Sequence, residues 1–292
     1  MPADDASGAG AARRTAIVTG GASGIGEAIA EALARNGVAV WLADRQLALA
    51  EQVAMRIRAV GGAATAVELD VRDAPAFHGV VERVIAQAGR LDYLFNNAGI
   101  AVTGEAREYV AADWDDVIDI NLRGVTNGIQ AAYPTMIRQG FGHIINTASM
   151  AGLVPVPMQA SYSATKSAVV ALSRVLRIEA RAHGVRVSVL CPAAVRTPIL
   201  NGGRYGRYTP SLDAAMLAPL VERLRPFDPA RLALRVLRAV ARNRAIIVEP
   251  RWARLVWYIG RLSPGLVDRL SGQMLAQLRR DVLARGGRKD AQ

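Results

Sequence analysis

Short apolar runs rich in β-branched residues alternate with longer amphipathic stretches through the first 190 residues of the chain. The runs at 15–20 (TAIVTG), 38–43 (VAVWLA), 64–69 (ATAVEL), 91–97 (LDYLFNN), 143–149 (HIINTAS) and 185–190 (VRVSVL) read as strands. The stretches 25–36, 46–60, 75–88, 113–139 and 160–183 have the length and period of helices. Nearly continuous apolar strands separated by helices predict an α/β fold, a Rossmann-type doubly wound parallel sheet with helices on both faces. Right-handed crossovers in such a sheet bring ligands to the carboxyl ends of its strands.

Past residue 197 the pattern loosens. The segment NGGRYGRYTP opens a glycine-rich stretch, 198–226, that reads as a mobile flap over a site. Asp228-Pro229 starts a helix reaching about Asn243, with proline in its first turn, and AIIV at 245–248 reads as a last strand. Residues 251–292, with Trp252, Trp257, Tyr258 and Pro264 among spaced arginines, predict a basic, amphipathic helical extension. Residues 1–13 lack the apolar core of a secretory signal and read as a disordered lead-in to a single domain over 14–250. No apolar run is long enough to span a bilayer, and with a single cysteine, which fits a reducing compartment, a cytoplasmic protein is expected.

Charge changes this picture only locally. Residues 201–292 hold 18 basic against 7 acidic residues, a surplus equal to the net +11 of the whole chain. The first 200 residues are neutral, and no nucleic-acid motif is present, so no nucleic-acid partner is expected. The basic segment instead suits a solvated face or a weak peripheral membrane contact. Lysine is nearly absent: of 36 basic residues only Lys166 and Lys289 are lysines. A lone lysine in the folded body, where arginine serves everywhere else, points to chemistry that a guanidinium cannot do. Cys191 is the single cysteine and reads as a small buried hydrophobe in a reducing compartment. His78, His143 and His183 are scattered without metal-ligand spacing, so surface or capping roles are expected for them and no metal.

Two local patterns carry the candidate chemistry. TGGASGIG follows the first strand directly and opens the first helix, with Gly20, Gly24 and Gly26 permitting a tight turn whose amides face a pyrophosphate. Asp44 ends the second strand, where a carboxylate accepts from ribose hydroxyls and repels a 2′-phosphate; Arg45 beside it leaves NADP as the alternative to NAD. Asp70 closes the third strand near the expected adenine edge, and Asp73 reads as a helix N-cap. Farther on, Tyr162 and Lys166 stand four residues apart in SYSATKSAVVALSRVL and so share a helix face. A neighbouring ammonium and an oxidised nicotinamide would both stabilise a phenolate, making Tyr162 an acid/base. Ser149 ends the preceding strand within reach of a substrate oxygen. Asn121 is a polar residue on an apolar helix and needs a partner, a backbone carbonyl or a water leading to Lys166.

Across residues 13–250 the chain resembles the short-chain dehydrogenase/reductase family. It matches that family's TGxxxGIG at 19–26, its NNAG at 96–99, its active-site Asn121, and Ser149 thirteen residues before Tyr162-x-x-x-Lys166. The resemblance implies a catalytic tetrad of Asn121, Ser149, Tyr162 and Lys166, in which tyrosine is the acid/base and serine orients the substrate. Lysine binds the nicotinamide ribose and lowers the tyrosine pKa, and asparagine supports a proton relay through water. It also implies cofactor contacts from Gly20, Ser23, Gly24, Ile25 and Gly26, from Asp44 and Arg45, from Asp70 and Val71, and from Asn97, Ala98 and Gly99. Tyr162, Lys166, Pro192, Val195 and Thr197 complete that set. The expected reaction is reversible hydride transfer between NAD(H) and a secondary alcohol or ketone, in a homo-oligomeric dimer or tetramer. One departure stands out: Ala193 follows Pro192 where the family commonly has glycine, so the turn there is expected to be slightly reshaped. Met150, Met158 and Met216 read as apolar filler, although they fall where that family lines its substrate pocket, and the run Val154-Pro155-Val156-Pro157-Met158 suggests an apolar substrate. The rival reading is a catalytically idle NAD-binding or scaffold protein, which the intact tetrad disfavours.

Overall fold

The computed structural model describes residues 13–289, so nearly all of the predicted lead-in lies outside the described residues. Seven parallel strands form the main sheet: β1 (Thr15–Thr19), β2 (Ala39–Asp44), β3 (Ala64–Glu68), β4 (Tyr93–Asn96), β6 (Gly142–Thr147), β7 (Val185–Pro192) and β9 (Ile246–Glu249). Their order is β3-β2-β1-β4-β6-β7-β9, all neighbours parallel. The remaining two strands, β5 (Ala101–Thr103) and β8 (Gly206–Tyr208), pair parallel outside this sheet. The strands read as apolar runs because helices cover both faces. On one face, α1 (Gly24–Arg35), α2 (Leu47–Ala59) and α8 (Pro229–Ala241) bury Ile29, Leu33, Val53, Ile57, Leu232 and Val236 against Ala16, Val18 and Leu42. On the other, α3 (Ala74–Ala88), α5 (Gly124–Gln139) and α6 (Ala160–Ala180) bury Phe77, Val81, Met136, Val169 and Leu176 against Ile17, Leu94 and Ile144.

Helix ends follow local chemistry. Asp73 and Asp228 cap α3 and α8 by accepting from Ala76 N–H at 2.9 Å and Arg231 N–H at 2.7 Å. The helix predicted over 113–139 is present as one continuous helical run, made of α4 (Ala111–Ile118), one wide π turn (Asp119–Arg123) and α5. The stretch 198–226 is more regular than expected: it holds β8, two short 3₁₀ turns and α7 (Ala214–Arg223). Arg207 ties it to the body through Asp116 at 2.7 Å and Asp113 at 3.0 Å. The extension is two helices, α9 (Arg251–Leu262) and α10 (Pro264–Lys289). Among the described residues no helix is long and apolar enough to cross a membrane.

Candidate active site

The chain turns from one direction of the sheet to the other between β1 and β4, and a cleft opens there at the carboxyl ends of the strands. Its floor is the glycine turn. Gly20 has φ +63°, and a Cβ on it would stand 3.0 Å from the Ala98 backbone. Gly24, at φ +58°, backs onto Thr197, and a Cβ on Gly26 would fall 2.1 Å from the Gly20 carbonyl oxygen. The opposite lip is sewn to β1. The Thr19 hydroxyl accepts from the backbone N–H of Asn97 and Ala98 at 2.9 and 3.1 Å, and the Asn97 side chain donates to the Thr19 carbonyl at 3.1 Å.

Asp44 sits at the end of β2, buried on the cleft wall. Its carboxylate accepts from Ala22 N–H at 3.1 Å and Gln46 N–H at 2.9 Å, which locks its orientation toward the glycine turn. Arg45 is exposed on the rim. Asp70 and Val71 line the same end, and an Arg72 guanidinium bonded at 3.0 Å holds the Asp70 carboxyl below its usual range.

The other end holds the titratable groups. Lys166, 2 % exposed, donates from Nζ to the Thr147 carbonyl at 2.9 Å and lies 5.4 Å from the centre of the Tyr162 ring. Burial pushes its ammonium down to about 8. Burial also raises the Tyr162 phenol above its ordinary value, while the Ser149 hydroxyl beside it pulls the other way. The lowered tyrosine pKa expected from the Tyr-Lys spacing is therefore not a property of the chain alone. Desolvation is the largest influence on both groups, and the ammonium is directed at a carbonyl rather than at the phenol oxygen.

Asn121 lies in the π turn behind these groups, fully buried. Its side chain accepts from Ile100 N–H at 2.9 Å and donates to the Ile100 carbonyl at 2.9 Å. The partner is thus a backbone peptide, and the bond braces the strip between Gly99 and β5. A wide turn at a functional position is where such bulges concentrate.

Most of the predicted cofactor residues share the cleft: Gly20, Ser23, Gly24, Ile25, Asp44, Arg45, Asp70, Val71, Asn97, Ala98, Gly99, Tyr162, Lys166, Pro192 and Thr197. Gly26 lies under the turn rather than on the wall. Val195 is buried among α8 side chains and bridges to Phe227. Ala193 is accommodated without a left-handed backbone, because β7 runs on and the Ala193 N–H donates to Glu249 at 2.8 Å.

Other residues were not foreseen. Tyr205, from the flap, lines the cleft and accepts from Gln46 at 2.9 Å, closing a strap beside Asp44. Thr147 contributes through its carbonyl, which no side-chain pattern reveals. His143 was expected at a surface or cap but is buried, paired with Ser188 at 2.8 Å and pushed down to about 3 by burial. Cys191 is buried as expected, its thiol pushed up to about 12 by desolvation.

The family model for "short chain dehydrogenase" matches residues 14–205. The chain belongs to the short-chain dehydrogenase family. An uncharacterized oxidoreductase of Listeria innocua is 41% identical over 187 residues, 63% of this chain and 75% of that protein. The 2,5-dichloro-2,5-cyclohexadiene-1,4-diol dehydrogenase LinX of Sphingobium indicum is 37% identical over 188 residues, 64% of this chain and 75% of its own. A short-chain dehydrogenase/reductase from Burkholderia phymatum, solved with NAD, superposes with a TM-score of 0.78 at 28% identity, covering 87% of this chain and 95% of the other. This member of the short-chain dehydrogenase family carries α7 to α10 beyond the matched span.

Proposed function

We propose that the protein is an NAD-dependent oxidoreductase that interconverts a secondary alcohol and a ketone, with an apolar substrate. The observation that carries this reading is the meeting of Tyr162 and Lys166, with the Ser149 hydroxyl against the phenol, at one end of a glycine-floored cleft whose other end presents Asp44. The glycine turn, Asn97, Ala98, Gly99 and Thr197 suit the pyrophosphate and nicotinamide halves, and Asp44 suits the adenosine ribose. When bound, the cofactor supplies or accepts the hydride. The Tyr162 phenol, favoured in its protonated form by burial, gives its proton to a ketone oxygen; in the opposite direction its phenolate takes the proton of the alcohol hydroxyl. The Ser149 hydroxyl steadies that oxygen. Lys166 fixes a positive group behind the phenol, and Asn121 keeps the Ile100 strip in register.

The orientation of Asp44, fixed by two amides, supports NAD; the exposed Arg45 beside it supports NADP as the second reading. Val154, Pro155, Val156, Pro157 and Met158 support an apolar substrate. The lone buried cysteine supports a reducing, cytoplasmic setting. Val175 and Ile178, exposed one turn apart on α6, support a homo-oligomer of two or four copies.

The test is Tyr162→Phe. Turnover on a panel of alcohols and ketones is expected to fall by at least about a thousandfold while NADH titration is unchanged. Full activity in the variant would sink the acid/base role. No NADH change with the wild-type chain on any panel member would favour the idle scaffold.

A further inference from the structure

The extension lies outside the family match and packs on the segment between Ser149 and Tyr162. Its inner face packs on the body. Ala253 and Val267 are buried, Gly260 abuts Val154, and Ser271 donates to the Pro155 carbonyl at 3.2 Å. Arg279 clasps Glu105 with two bonds of 2.8 and 2.9 Å. These contacts press α9 and α10 onto the apolar loop that leads from Ser149 to Tyr162.

The outer face is different. Trp252, Leu255, Tyr258 and Leu262 follow at helical spacing on α9 and are between 54% and 87% exposed. Leu266, Leu270 and Met274 continue an exposed row along α10. Solvated helices scatter single apolar residues; an unbroken row of this size marks a contact surface. The charge around it is one-sided. Residues 251–280 contain Arg251, Arg254, Arg261, Arg269, Arg279 and Arg280 against Asp268 alone. Arg254 and Arg279 are spent on Glu249 and Glu105. Among the described residues Arg251, Arg261 and Arg269 pair with no carboxylate. Arg261 lies 5.8 Å over the Trp257 ring, which in turn stacks on Tyr258 at 5.0 Å.

We propose that this face seats the protein on an anionic lipid surface, with α9 lying in the plane of the interface. Its 12 residues span about 18 Å, too short to cross a bilayer and suited to lie along one. Tryptophan and tyrosine settle at the headgroup level, leucines enter the acyl boundary, and arginines meet phosphates. A second copy would bring the same patch and the same unpaired arginines face to face, which like charge opposes. Docking in this pose sets α9 and α10 between the bilayer and the Val154–Pro155 segment that they cover.

The experiment is co-sedimentation of the full chain with vesicles of phosphatidylcholine alone or with about a third phosphatidylglycerol. Wild type is expected to pellet with the anionic vesicles, to be released by high salt, and to stay largely soluble with neutral ones. The double variant Leu255→Gln, Leu262→Gln changes two solvent-facing side chains, so its Tm and NADH binding should match wild type. Its partition is expected to weaken about a hundredfold, the loss of two inserted leucines. Wild type that stays in the supernatant with anionic vesicles, or a variant that pellets equally well, overturns the proposal. So does a wild-type oligomer that the variant disperses while vesicles capture nothing, since that assigns the face to a second copy.

Discussion

The side chain of Lys166 illustrates how a single position can be costly to the fold and useful to the site. Its amine is buried against the Thr147 carbonyl, and desolvation brings its pKa from 10.5 to about 8. Below about pH 8 folded and unfolded chains both hold the proton, and the fold carries the burial cost in full. Between 8 and 10.5 the unfolded chain holds the proton while the folded chain sheds it, so stability contributed at this residue rises with pH. Lys166→Met removes that dependence at nearly constant volume. The Tm of the variant minus that of wild type is expected to be largest near neutral pH and to shrink toward pH 10, by the equivalent of about 2–3 kcal/mol. Paired thermal melts across that range test it; a gap that stays flat or widens refutes the assignment of the cost to this amine. Activity should be lost throughout, since the positive group behind Tyr162 is gone.

At the scale of elements, the glycine turn makes the sharpest demand. A Cβ on Gly26 would stand 2.1 Å from the Gly20 carbonyl oxygen and 2.7 Å from the Asn97 amide, so α1 cannot pack under the turn without moving it. Gly26→Ala is expected to destabilise by about 1–3 kcal/mol and to weaken NADH binding at least tenfold. Gly79→Ala, on α3 with open space around its Cβ, is the control and should be neutral or slightly stabilising. Equal behaviour of the two in denaturant titrations would mean that the crowding under the turn is relieved at no cost. Six of the seven strands of the main sheet were legible as largely buried apolar runs; β3, at the sheet's edge, exposes Thr65 and Glu68 and was legible from its β-branched residues and its place between two helices. β5, β8 and α7 were not: three-residue strands show no period, and what holds β8 is the distant pair Arg207 with Asp113 and Asp116. The π turn at Asn121 also escapes, since one extra residue in a turn leaves the apolar spacing on either side intact. Chain order and the four-residue step disclosed the Tyr162–Lys166 pair. The acceptors that aim Lys166 and Asn121 are main-chain carbonyls brought in by other elements, and a main-chain group leaves no trace in residue identity.

For the whole molecule, the cleft joins pieces from both halves of the sheet: the turn after β1, the ends of β2, β4, β6 and β7, and the flap through Tyr205. A ligand that fits this cleft binds only the folded chain, so its affinity appears as added stability. At about a hundred times its Kd the gain is about 2.7 kcal/mol, which in a chain of this size raises Tm by about 4–5 °C. The same linkage separates the two cofactors without needing the substrate. The Asp44 carboxylate, pinned by Ala22 and Gln46 amides, cannot swing away from a 2′-phosphate, whereas Arg45 on the rim is free to reach one. NADH is therefore expected to raise Tm well above the shift from equal NADPH, and Asp44→Ala should bring the two shifts together chiefly by raising that of NADPH. Should NADPH stabilise wild type as strongly as NADH, Arg45 and not Asp44 would govern that end of the cleft. The Tyr162 chemistry would stand in either case, because the phenol, Ser149 and Lys166 lie at the opposite end.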